Sequence, residues 1–77
     1  MTTESERRLA VLLNMAGFHP MVLEVDRDEA WAKFVHKGKC ETVTALYDVD
    51  STDETVAQQL CMSATNRGIR ARRTRTS

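Results

Sequence analysis

The chain has 77 residues, 42% of them hydrophobic and only four aromatic, and its eleven bases and eleven acids cancel to a formal charge of zero. That length allows one domain with a small core, because a chain this short hides only about 60–65% of its unfolded surface on folding. No apolar run approaches the roughly 18 residues of a bilayer span, and the opening MTTESERRLA lacks the basic-then-apolar order of a secretory signal, so a cytoplasmic protein without a membrane partner is expected.

Residues 3–16, TESERRLAVLLNMA, predict a helix. Thr3 and Glu6 have capping-box spacing, and Leu9, Leu12, Leu13 and Ala16 recur at helical spacing to make one apolar face. Gly17 stands where a left-handed C-terminal cap belongs. In FHPMVLEVD, Pro20 suits the start of a strand, and Met21, Leu23 and Val25 alternate with Glu24 and Asp26 as in a half-buried strand.

DEAWAKFVHKGK reads in two ways. A helix capped by Asp28 puts Ala30, Trp31, Phe34 and Val35 on one side. A strand sets Trp31, Lys33 and Val35 against Ala32, Phe34 and His36. The turn-forming HKGK and the β-branched ETVTALY after it favour a hairpin, with the helix as the alternative for residues 29–37. DVDSTDETVAQQLCMSATNRG predicts the second helix. Ser51 or Thr52 caps it, Asp53 and Glu54 occupy its first turn, and Val56, Ala57, Leu60, Cys61 and Ala64 form its buried stripe, with Gly68 closing it.

These elements predict an α+β fold of order α-β-β-β-α, a three-stranded antiparallel sheet with both helices on one face. Residues 1–68 form the compact domain in this reading, and 69–77 a basic, arginine-rich tail or a short C-terminal edge strand. The stretch from VLEVDRDEAWAKFV to TDETVAQQL resembles the hairpin, strand and helix of HicB-type antitoxin domains over about half the chain, without the glycine and proline landmarks of those domains. The element order is also similar to that of double-stranded-RNA-binding domains. Those begin their second helix with lysines, whereas STDE stands here at 51–54, which argues against that mode of RNA binding.

Candidate chemistry is sparse. His19 and His36 are the bases that titrate near neutrality, and Cys40 and Cys61 the strong nucleophiles. Two cysteines do not make the disulfide framework of a small secreted domain, and they read as reduced, half-buried thiols. HKGKC has the H-x3-C spacing of zinc ligands, but its completing ligands, His19 and Cys61, lie far away in the sequence. DVDSTDETVAQQ starts like a calcium loop and fails at Asp53, where glycine is required, and at Gln59, where a glutamate should sit. Neither catalytic residues, nor a cofactor, nor a metal site is expected.

The zero net charge hides a polarity. Residues 1–66 hold six bases and eleven acids, a net of −5, while residues 67–77 hold five arginines and no acid, a net of +5. Such a body suits a non-enzymatic interaction protein, monomer or homodimer, that docks on a protein or nucleoprotein complex. In size and composition it resembles inhibitors and regulators encoded by phages and mobile elements, anti-CRISPR proteins among them, without a shared motif. The acidic residues expected to meet the partner are Asp26, Asp28, Glu29, Asp48, Asp50, Asp53 and Glu54. The alternative is a nucleic-acid-binding protein that uses Arg67, Arg70, Arg72, Arg73 and Arg75 as an arm on phosphates.

Overall fold

The computed structural model describes residues 4–48 and 50–71. In chain order they form α1 (Glu4–Met15), β1 (Val22–Asp26), β2 (Glu29–His36), β3 (Lys39–Leu46) and α2 (Asp53–Asn66). The strands make one antiparallel sheet of order β1-β2-β3, with Leu23 opposite Ala32 in one ladder and Ala32 opposite Val43 in the other. The α-β-β-β-α order expected from the sequence is the observed one.

Residues 29–36 are a strand, and the following turn explains why. Lys37 and Gly38 both have positive φ, 53° and 77°, and connect the paired residues His36 and Lys39 as a two-residue hairpin turn. Glycine reaches that conformation without cost, and the β-branched residues of β3 then have a partner strand against which to pack.

Alternation along the strands sorts the sheet into two faces. Ala30, Ala32, Phe34, Val43 and Ala45 are buried beneath the helices, with Leu23 and Val25 partly covered beside them. Leu9 and Leu13 of α1 and Val56, Leu60 and Ala64 of α2 complete this core, each fully buried. The alanines on the inner face of β2 leave room for the larger helix side chains. The opposite face of the sheet has no covering layer among the described residues, and there Val35 and Leu46 are exposed.

Both helices stop in the same way. Gly17 after α1 and Gly68 after α2 have φ of 94° and 89°. The amide of Phe18 donates to the Leu13 carbonyl and that of Gly17 to Asn14, while Ile69 donates to Ala64 and Gly68 to Thr65. These are paired Schellman motifs, and their following apolar residues, Phe18 and Ile69, both turn back into the core. Ile69 therefore belongs to the packed body, and residues 69–71 form no strand. Residues 72–77, where the expected edge strand would continue, lie outside the described residues.

The N-termini follow different rules. Thr52 caps α2, its side chain accepting from the Thr55 amide at 3.2 Å. Thr3, assigned to a capping box from its spacing, lies outside the described residues. The other member of that pair, Glu6, has a tertiary role: its Oε2 accepts the Val25 amide of β1 at 3.0 Å.

Candidate functional site

The meander gathers the named acids at one end of the molecule, where Arg27 of the β1–β2 turn also lies, and a cluster of cations at the other. The β1–β2 turn and the β3–α2 connection lie at one end, because Glu29 opens β2 directly opposite Leu46, which closes β3. The Tyr47 amide ties the two segments together by donating to the Asp28 carbonyl at 2.7 Å. Asp26, Asp28 and Glu29 around the turn thus join Asp48, Asp50, Asp53 and Glu54, which follow about 20 residues later in the sequence. All seven acids named from the sequence share one pole.

Their roles differ. Asp53 accepts the Tyr47 hydroxyl and, at 2.6 Å, the Arg8 Nε. The Tyr47 hydrogen bond, helped by the Arg8 guanidinium and opposed by burial, holds the Asp53 carboxyl below its ordinary 3.8. The same pairing raises the Arg8 guanidinium. Asp48 Oδ1 accepts the Ser51 hydroxyl at 3.0 Å and the Asp50 amide at 3.1 Å, which folds the connection ahead of α2. Asp53 and Asp48 are thus committed to the architecture. Asp26, Asp28, Glu29, Asp50 and Glu54 are exposed, and among the described residues the ion pairs join only Arg8 to Glu4 and Asp53, and Arg67 to Glu41.

The opposite end is basic and concave. The β2–β3 turn meets the C-termini of both helices there, and a cleft opens between Gly17–His19, Phe34–Lys37 and Arg67–Arg70. Its cationic rim consists of Lys37, Arg67 and Arg70, with His19 and His36 beside them. Phe18 and Phe34 pack edge to face beneath, ring centroids 6.2 Å apart, and are nearly fully buried. His36 extends from the helix side of β2 so closely to α2 that a Cβ on Gly68 would stand 3.6 Å from its Nε2. Arg67 is held by Glu41, Nη1 to Oε2 at 3.2 Å. Arg72, Arg73 and Arg75 lie outside the described residues.

The weighed metal and nucleophile pairs are not brought together. Cys40 pairs with Val35 on the uncovered face of the sheet, whereas His36 faces the helices. Cys61 is half-buried on α2, and burial raises its thiol. Among the described residues no three His, Cys, Asp or Glu side chains gather as a metal set, and no helix is long and apolar enough to cross a membrane.

Lys37 and Glu41 were absent from the residues singled out in the sequence, and His36 was weighed there only as a base and a zinc ligand. A signal for them existed: two antiparallel hairpins oblige the Lys37–Gly38 turn to lie beside the segment leading into β1, where α1 ends. Comparison with known protein families, curated proteins and solved structures finds no match in any of the three.

Proposed function

We propose that the protein is a non-enzymatic docking module of the inhibitor or regulator type, whose acidic pole occupies a basic site on a larger protein or nucleoprotein partner. The observation that carries this reading is the joining of two acidic segments by the Tyr47–Asp28 hydrogen bond. It concentrates the exposed carboxylates of Asp26, Asp28, Glu29, Asp50 and Glu54 at one end without a lysine or arginine in ion-pair contact among the described residues. Like charges held together on a stitched pair of loops raise the local potential, steer a cationic partner and penalise an anionic one. Capping explains Asp53 and Glu54 at the start of α2, but not the three acids of the hairpin turn.

The reading is tested by recovering the partner from nuclease-treated lysate of the source cell. Bait with Asp26, Asp28, Asp50 and Glu54 changed to lysine should lose a partner that wild-type bait retains. Asp53 stays native in this bait because it holds the fold. Recovery unaffected by the four reversals would refute the acidic pole as the docking surface.

A further inference from the structure

Going beyond the acidic pole, we propose that the cleft at the opposite end binds the phosphate backbone of single-stranded nucleic acid, with Lys37, Arg67 and Arg70 as its cationic contacts. By sequence, net positive charge is confined to residues 67–77. The fold adds Lys37 from the hairpin tip, some 30 residues earlier in the chain, to the arginines that leave α2, and arranges all three around one concavity. His36 stands on the same wall, against the α2 cap. In the sequence Arg70 is followed by Arg72, Arg73 and Arg75, which lie outside the described residues.

Shape selects the single strand. The cleft holds about 1140 Å³, less than a cube whose edge is the roughly 12 Å width of a duplex's major groove, so a duplex cylinder does not enter it. A lone backbone can follow such a recess. The aromatic rings at its base are buried, Phe18 at 6% and Phe34 at 3% exposure, so base stacking contributes nothing. Recognition is therefore electrostatic, indifferent to sequence and strongly dependent on salt.

Glu41 is the competing anion. Its carboxylate already engages the Nη1 of Arg67, so an incoming phosphate competes with it for that guanidinium. Removing the Glu41 charge should strengthen binding, an outcome that a cleft with no phosphate contact would not produce.

The test is anisotropy of a fluorescent oligothymidylate with the full-length chain at about 50 to 200 mM salt, the range over which phosphate contacts reveal themselves. Lys37→Asn suits the positive-φ turn position, so it should keep or raise the melting temperature while weakening binding severalfold. It should also reduce the log–log salt slope by about 0.7, the share of one phosphate contact to a single strand. Arg70→Gln should act in the same direction, and Glu41→Gln should tighten binding about twofold or more, in line with a released charge-assisted bond. A duplex of equal length should bind more weakly. The proposal is overturned by absence of binding at the lowest salt, or by equal affinity for the duplex. It is also overturned if Lys37→Asn and Glu41→Gln change nothing while Arg72, Arg73 and Arg75 changed to glutamine abolish binding, which would assign the interaction to the tail alone. Lysine reversals at the acidic pole are not needed for this binding, so either proposal can fail without the other.

Discussion

Asp53 shows how one side chain can be claimed by the fold. It sits in the first turn of α2, where the sequence offers it equally as a capping acid and as a partner contact. Tyr47 and Arg8, six and 45 positions away, decide the matter by hydrogen bonding its carboxylate. Because the folded state depresses this group, its contribution to stability is present above its ordinary 3.8 and lost as pH falls through the lower folded value. Asp53→Asn should therefore melt below wild type at neutral pH, and the gap should narrow below about pH 4. A gap independent of pH would mean that the carboxylate charge contributes nothing. The cysteines make a second contrast. Cys40 is exposed on the open face of the sheet, while burial raises the Cys61 thiol and withholds its thiolate. Alkylation followed by mass spectrometry should modify Cys40 first, and preferential labelling of Cys61 would contradict the packing of α2.

The helices were legible because their signals are local. Apolar spacing marks Leu9 and Leu13, or Val56, Leu60 and Ala64, and Gly17 and Gly68 end each run where a left-handed residue is required. Leu60→Ala should cost about 2–5 kcal/mol, since its side chain is fully enclosed. A thermal melt close to wild type would show that it does not hold α2 to the sheet. Gly68→Ala places a Cβ at φ 89° beside His36 and should cost roughly 1 kcal/mol or more, read from a urea midpoint. An unchanged midpoint would remove the Schellman motif from the account. Residues 29–37 were ambiguous for a physical reason: Ala30, Trp31, Phe34 and Val35 satisfy a helical face as well as a strand can. The neighbouring Lys37–Gly38 turn, with both φ positive, and the β-branched residues of β3 break the tie. Long-range pairings such as Glu6 with the Val25 amide leave no periodic trace, so spacing alone assigned Glu6 to a cap.

The molecule as a whole turns a charge division along the chain into one in space, and it is not the same division. Sequence order puts Lys37 in the acidic part of the chain, whereas the meander carries it to the cleft beside Arg67 and Arg70. Both helices run from the acidic end toward the basic one: the N-terminal half of α1 reaches Asp53 through Arg8, and both C-terminal caps reach the cleft. Acids near helix N-termini and cations near C-termini also favour the macrodipoles, so helix electrostatics reinforces the separation. The poles are consequently properties of a folded protein, and thermal unfolding should erase their selectivity.

The most direct test is an amide chemical-shift titration of the isotope-labelled protein with two opposite probes, an oligo-arginine peptide and a short oligothymidylate. The peptide should move the amides of residues 26–29 and 50–54, and the oligonucleotide those of 36–38 and 67–71, with little overlap. Shifts on the same residues with both probes, or spread evenly over the two ends, would contradict a molecule built with separate acidic and basic binding poles.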